Sequence, residues 1–492
     1  MTSHESRVQA IAAIQAERFD LLVVGSGIIG SRIALEAAAS GRRVALVDAA
    51  DFGGATSSAS SKLIHGGLRY LQMGDLRLVR EAHQERRALL ERVAPHLVRP
   101  LQFVVPVYKG GPHSRALIAA GLFTYSALSG FRQSQARMVS PAGGRELVPS
   151  LRLDGLRGCG VYMDAQTHDT RLVLATVTAA ARAGAAVLNH AAVTGLEFDA
   201  KGVAATLEGG YEVRSRQVVN AAGPWVDRVR RMEEPGASPV ARLSKGVHLL
   251  LPAEPAWRAA LTVPIAGGRV AFAVPWEGML MLGTTDTPYE GDPGDVEVTA
   301  EDEATVLEEA SMGLPAELLR ADRIVSRFAG LRVLPGGTGN TSDATREHLV
   351  GTGRMGMVSV AGGKLTTHRR IALDVLRRVD GYRGLRQCED PLPGAGPLPP
   401  KSPDIDLGTW EHLTHFYGSE VGRVLVYRES VSNALEPIHP GGPDIWAQVH
   451  HAAAEEWATS VEDVVRRRTN LEMRGHATAE IRERIREILE KG

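Results

Sequence analysis

Two hydrophobic rhythms alternate along the chain. Residues 19–24 form an apolar run broken only by Asp20, the length of a buried strand. Gly25-Ser26-Gly27-Ile28-Ile29-Gly30 follows, then Ile33, Ala34, Ala37 and Ala38 at helical spacing. Gly41 stops that helix, and residues 44–47 give a second buried run. Charges alternate with Leu78, Val79, Ala82, Leu89, Leu90 and Val93 over residues 76–93, predicting an amphipathic helix. A strand is predicted over 101–108, a helix over 170–183 and a strand over 185–188. Residues 217–225 repeat the theme of a buried strand running into a glycine turn. From 243 to 327 the pattern is β-rich, with a hairpin of 271–276 and 279–282 around Glu277-Gly278. A last strand, 357–360, delivers residues 361–368 into a helix reaching about Val379. Beyond a proline-glycine linker, helices are predicted over 410–425, 443–459, 461–468 and 477–489.

The expected fold is α/β. A Rossmann-like domain, discontinuous in sequence, carries an inserted mixed, β-rich domain and precedes an all-helical one. The expected bounds are 19–385 for the whole first region, with nucleotide parts at about 19–100, 160–230 and 328–385. Inserted parts occupy about 101–159 and 231–327; a linker spans 386–403 and the helical domain 404–492. The segment up to Arg18 reads as a short helix or arm.

The first turn carries the clearest chemistry. Gly25 permits a sharp bend, Gly27 lets a pyrophosphate approach bare backbone, and Gly30 lets helix and strand pack closely. Free N–H groups at the helix start hold phosphate. Asp48, roughly twenty residues past the turn, can accept from both ribose hydroxyls and would repel a 2′-phosphate, which disfavours NADP. Thr56-Ser57-Ser58-Ala59-Ser60-Ser61-Lys62 offers many hydrogen-bond donors beside such a cofactor. In Leu63-Ile64-His65-Gly66-Gly67-Leu68-Arg69-Tyr70 the paired glycines let a flat ring lie on backbone, and Arg69 offers a fork to an anion. Gly362-Gly363-Lys364-Leu365-Thr366-Thr367, opening a helix, is an anion-stabilising device.

Residues 116–131 are apolar but for a few hydroxyls, flanked by Arg115 and Arg132, and too short to span a bilayer comfortably. A buried helix is the expectation; a surface helix dipping into a membrane, with arginines at the headgroups, is the alternative.

Composition narrows the class. A chain of 492 residues, 44% hydrophobic, can bury two or three cores. With 56 Lys plus Arg against 57 Asp plus Glu there is no global field for nucleic acid, and none is expected as partner. Cys159 and Cys388 make no disulfide framework and fit a reducing compartment, and the N-terminal stretch, which contains acids and no long apolar core, is not a secretory signal. His412 with His415, and His450 with His451, lack any metal-ligand spacing, so no metal is expected. Arg466-Arg467-Arg468 reads as a docking or solvated face.

Gly25 to Gly30, the run from Thr56 to Leu71, Gly283-Thr284-Thr285-Asp286 and Gly362 to Thr367 together resemble the FAD-dependent glycerol-3-phosphate dehydrogenases. Glu456-Trp457-Ala458 and residues 464–469 resemble that family's C-terminal helical domain. The resemblance implies non-covalent FAD on a fold of the D-amino-acid-oxidase type, and oxidation of sn-glycerol 3-phosphate to dihydroxyacetone phosphate. It implies electrons passed to quinone, and a cytoplasmic protein peripheral on the inner face of the membrane; a homodimer is left open. Carried over by motif, Arg69, Tyr70, His248, Arg332, Arg346 and Lys364 fall at substrate-site positions, with His248, Arg332 and Lys364 catalytic. His248 would act as base, and Arg332 or Lys364 would polarise the developing alkoxide. The cofactor set is Gly25, Gly27, Ile29, Gly30, Asp48, Thr56, Ser57, Ser58, Ser61, Lys62, Leu63, His65, Gly66, Gly67, Ala222, Gly223, Gly363, Lys364, Leu365 and Thr366.

The chain departs from the family pattern at Ser26, where glycine is usual, at Glu36, at Val333, at His368 and in Arg346-Glu347-His348. Rival readings are an oxidase that reduces oxygen, a flavin-binding sensor or scaffold without catalysis, and an amine-oxidising relative. Three candidate phosphate cations, Arg69, Arg332 and Arg346, disfavour the last.

Overall fold

The computed structural model describes residues 3–67, 75–130, 136–252, 257–265, 269–336, 348–382 and 385–491. Arg69, Tyr70 and Arg346 lie outside them.

The first strand, Arg18–Val24, is central to a sheet of eight strands among the described residues. The order across it is His348–Thr352, Val358–Gly362, Glu212–Asn220, Arg18–Val24, Val44–Val47 and Ala186–Leu188. All but the first of these run parallel. Parallel strands covered on both faces read as unbroken apolar runs, and Val44–Val47 is buried at every position. Helices Ile28–Ala39, Asp169–Arg182 and His368–Leu376 cover one face through Ile33, Ala37, Leu172, Val177, Ile371 and Val375. An antiparallel pair, Val193–Asp199 with Gly202–Leu207, and helix Ser3–Ala16 close the other face around Leu22, Ala45 and Ile14.

A second sheet of ten described strands carries the other half of the site. Near one edge of it Ala241–Pro252 pairs with Met279–Gly283 on one side and Ser326–Pro335 on the other. The predicted hairpin is present as Val270–Trp276 and Met279–Gly283, and Glu277 at its tip takes φ +48°.

Helix Arg115–Leu128 corrects the expectation of a buried segment. Only Leu122, Tyr125 and Ser126 are buried on it. Its outer face exposes Ala116, Leu117, Ala120, Phe123 and Ala127, with Leu117 57% and Phe123 65% accessible. No helix among the described residues is long and apolar enough to cross a membrane.

The C-terminal helices include Leu407–Tyr417, Trp446–Glu455 and Ala479–Lys491, and ionic contacts with the first region come from Glu456 and residues 463–468 between them. Arg467 and Arg468 both reach the buried Asp51, and Arg171 meets Glu456 at 2.9 Å. Arg466, the first of the three arginines, stays exposed against Glu462. Glu36 pairs with the fully buried Arg32 at 2.6 Å and accepts from the Cys388 N–H at 2.8 Å. That carboxylate ties the glycine-turn helix to the start of the linker.

The paired histidines find carboxylates. His415 Nδ1 lies 2.7 Å from Glu277, and His412 Nε2 lies 3.0 Å from Asp444. Burial alone would lower the His412 imidazole, but Asp444 and then Glu277 outweigh it and raise it from 6.5 to about 9.

Candidate functional site

The turn after the first strand is built for close approach. Gly25 has φ +98°, and a Cβ there would sit 2.6 Å from the Ala221 carbonyl. A Cβ on Gly30 would collide with the Gly25 carbonyl oxygen, so neither position admits a side chain. Ser57 Oγ accepts from the Ile28 N–H at 3.0 Å and seats the hydroxyl-rich loop on the helix start.

Ser26 gives Asp48 a second task. Its N–H and Oγ donate to Asp48 Oδ2 at 2.6 and 2.7 Å, and the Ala50 N–H donates to Oδ1 at 2.9 Å. A carboxylate has about four lone-pair sites. The room left for the expected ribose contacts is on Oδ1. A serine where glycine is usual supplies the extra donor.

Two sheets and three loops enclose a cavity of about 350 Å³. Gly27, Ile29, Thr56, Ser57, Ser61, Leu63, His65, Gly223, Gly363, Lys364, Leu365 and Thr366 line it from the nucleotide side. His248 and Arg332 line it from the second sheet. His65 N donates to Thr366 Oγ1 at 3.1 Å, and Thr56 Oγ1 donates to the Leu331 carbonyl at 2.7 Å, so the walls are hydrogen-bonded to one another. Gly330 permits this closure, since a Cβ there would strike the Ala59 carbonyl oxygen.

His248, 3% accessible, shares a 2.9 Å hydrogen bond with Ser61 Oγ through Nε2 and stacks on Phe328 at 4.8 Å between ring centroids. Burial, then Arg332 and Lys62, lower its pKa to about 3. The ring is neutral at physiological pH and has a lone pair to offer. Arg332 donates to the Thr285 carbonyl and Thr284 Oγ1, each at 2.9 Å, with Asp286 at 3.4 Å. Gly246 makes room for it: a Cβ there would lie 2.7 Å from Arg332 Nη2.

Gly25, Gly30, Gly66, Gly67 and Ala222 stand behind the lining, shaping it through backbone. Ser58 and Lys62 are not brought to the cavity. Ser58 Oγ donates to the Ala55 carbonyl at 3.0 Å. Lys62, at φ +56° and fully buried, sends its ammonium to Asp169 at 2.7 Å and to the Ser58 carbonyl at 3.1 Å. A left-handed residue reverses the side-chain direction that the loop's hydroxyl pattern suggests. Arg269 and Phe272 also line the cavity and were not singled out in the sequence, although Gly267-Gly268 directly precedes Arg269 as Gly66-Gly67 stands shortly before Arg69.

A glycine turn into which no Cβ fits, a helix N-terminus and a carboxylate with one site open suit the diphosphate and ribose of a dinucleotide. Fold and site define an FAD-dependent oxidoreductase: the family of that description matches residues 20–369, and the C-terminal domain of alpha-glycerophosphate oxidase matches 362–492. The chain belongs to the FAD-dependent glycerol-3-phosphate dehydrogenase family. It is 34% identical to a glycerol-3-phosphate dehydrogenase of Synechocystis, covering 94% of this chain and 90% of that one. It is 35% identical to the aerobic glycerol-3-phosphate dehydrogenase of Staphylococcus haemolyticus over 74% of this chain and 67% of the relative. The solved glycerol-3-phosphate dehydrogenase of Bacillus halodurans, complexed with FAD, superposes with TM-score 0.76 at 27% identity, covering 100% of this chain and 97% of that one.

Proposed function

We propose that the protein oxidises sn-glycerol 3-phosphate to dihydroxyacetone phosphate and passes the electrons to a quinone at a membrane surface. The observation that carries the reading is the meeting of His248, Arg332 and Lys364 with the glycine turn around one cavity. FAD, when bound, supplies the hydride acceptor for the C2 hydrogen of the alcohol. The neutral His248 accepts the C2 hydroxyl proton at Nε2 as the ring exchanges its Ser61 contact for substrate. The dianionic phosphate opposes the two cations that depress the imidazole, so binding raises its basicity. Arg332 and Lys364, joined by Arg69, Tyr70 and Arg346, hold the phosphate and polarise the developing alkoxide. The same reading gives the nucleotide parts at about 19–100, 160–230 and 328–385 to the cofactor, the parts at about 101–159 and 231–327 to substrate, and the helices after the 386–403 linker to docking.

Anaerobic mixing with sn-glycerol 3-phosphate tests the first half. Bleaching of the oxidised flavin band by this ester, and not by glycerol or amino acids, is expected; no bleaching by any polyol phosphate favours a non-catalytic flavoprotein.

Support for the second half comes from helix Arg115–Leu128 and what lies under it. A smaller cavity of about 80 Å³, lined by Phe103, Val105, Ile118, Tyr162 and Phe272, adjoins the main one through Leu63, His65 and Arg269. Its apolar lining and the exposed Leu117 and Phe123 above suit a lipophilic acceptor arriving from a bilayer. Replacing Leu117 and Phe123 together by glutamate should release the protein from sedimenting phospholipid vesicles without slowing flavin reduction; unchanged sedimentation overturns this surface. Peroxide formation in place of quinone-analogue reduction would identify an oxidase.

A further inference from the structure

We infer that Arg269 is a further phosphate-recognition residue, acting beside Arg332 across Thr284. The inference rests on the substrate reading above and names a residue which that reading leaves out.

Arg269 stands at the entry to strand Val270–Trp276 and lines both the main cavity and the smaller one beside it. Its Nη2 donates to the Thr284 carbonyl at 3.3 Å. From the other side, Arg332 Nη2 donates to Thr284 Oγ1 at 2.9 Å. Two guanidinium groups thus flank one residue of the cavity wall.

Among the described residues each has a carboxylate beside it. Asp286 lies 3.4 Å from Arg332, and Glu309, on helix Ala300–Ser311, lies 2.7 Å from Arg269 Nη1. The Arg269 side chain is 27% accessible and the Glu309 side chain 12%. A guanidinium has five N–H groups. Among the described residues Arg269 gives Nη1 and Nη2 to Glu309 and Nη2 to the Thr284 carbonyl, and Nε makes no hydrogen bond. It therefore keeps donors for a ligand in the cavity it lines. A dianionic phosphate ester is the chemistry that two planar forks on one cavity wall recognise, because each fork can present paired N–H groups to its oxygens.

A purely structural reading is available, in which Arg269 only bridges Glu309 to the Thr284 loop. The two readings predict opposite signs for Glu309→Gln. If Arg269 binds phosphate, the lost carboxylate frees the guanidinium, and KM for sn-glycerol 3-phosphate falls. If Arg269 is a bridge, the loop loosens and KM rises.

The experiment is steady-state and anaerobic flavin reduction of the FAD-loaded full chain, wild type against Arg269→Gln, Arg269→Lys and Glu309→Gln, with inorganic phosphate as competing ligand. Loss of one charge-assisted hydrogen-bonding group is expected to raise KM and the phosphate inhibition constant by ~10–100-fold in Arg269→Gln. Flavin content and turnover at saturation should change little, with partial recovery in Arg269→Lys and a lowered KM in Glu309→Gln. Unchanged KM and phosphate inhibition in Arg269→Gln, or a raised KM in Glu309→Gln, overturn the inference. Should Arg269→Gln fail to load flavin, the Arg269→Lys and Glu309→Gln enzymes carry the same two signs. A wild-type enzyme that sn-glycerol 3-phosphate does not bleach defeats the substrate reading itself, and is told apart from failure of Arg269 alone by the wild-type trace.

Discussion

Replacing Asp444 by asparagine should remove most of the alkaline sensitivity of the contact between the C-terminal helices and the second sheet. His412 is 4% accessible at its side chain, with Asp444 at 3.0 Å and Glu277 at 3.8 Å. Its pKa stands near 9 in the folded chain against 6.5 for the unperturbed group. At ~1.36 kcal/mol per unit, that difference corresponds to about 3 kcal/mol of stability. The folded value is the raised one. The contribution is therefore complete below pH 6.5 and is lost as pH climbs through 9. Amide hydrogen exchange of helix Leu407–Tyr417, corrected for intrinsic base catalysis, measures it directly. Protection in the wild type should fall by roughly two orders of magnitude between pH 6.5 and 9.5. Asp444→Asn should start lower and show little further loss over that range, since the strongest raising partner is gone. Equal slopes for the two proteins would refute the reasoning, because the variant leaves the other titrating groups in place.

Three further outcomes follow from the same geometry. His248→Ala should retain FAD and slow flavin reduction by ~10²–10⁴-fold, and stopped-flow bleaching at the wild-type rate would remove the imidazole from the chemistry. Gly25→Ala forces a Cβ to 2.6 Å from the Ala221 carbonyl at φ +98°, so flavin content after purification should fall sharply; full flavin loading would contradict the turn's role. Arg468→Met leaves the buried Asp51 with Arg467 as its remaining guanidinium and should cost ~3–5 kcal/mol, read as a lowered unfolding midpoint whose loss Asp51→Asn in the same chain partly restores.

The parts legible in the sequence are those where neighbours in sequence are also neighbours in function. The glycine turn, the hydroxyl-rich loop and Gly363-Lys364-Leu365-Thr366 each carry their chemistry within a few residues, and all three face the cavity. Lys62 shows where this fails. Its partner is 107 residues away in Asp169, and only the three-dimensional chain says that the ammonium points there. Helix Arg115–Leu128 fails for another reason: an apolar count does not reveal on which side a neighbour stands. Arg269 is set against Thr284 by the pairing of two strands that begin on either side of Glu277. The Gly267-Gly268 before it is a local sign that was not singled out, but nothing in the sequence says that this arginine approaches Thr284.

The hydrogen bond from His65 to Thr366 spans 301 residues, and strand Val358–Gly362 completes the parallel sheet only by pairing beside Glu212–Asn220. During synthesis the glycine turn leaves the ribosome early, yet the chamber it serves does not close until the chain has passed Thr366. A nascent chain that ends between Asn220 and Val358 exposes the floor of the chamber and leaves Val219 and Asn220 without their late partners. Flavin capture is thereby a late event in the life of each molecule, and a cell short of flavin would hold full-length chains with the chamber unfilled.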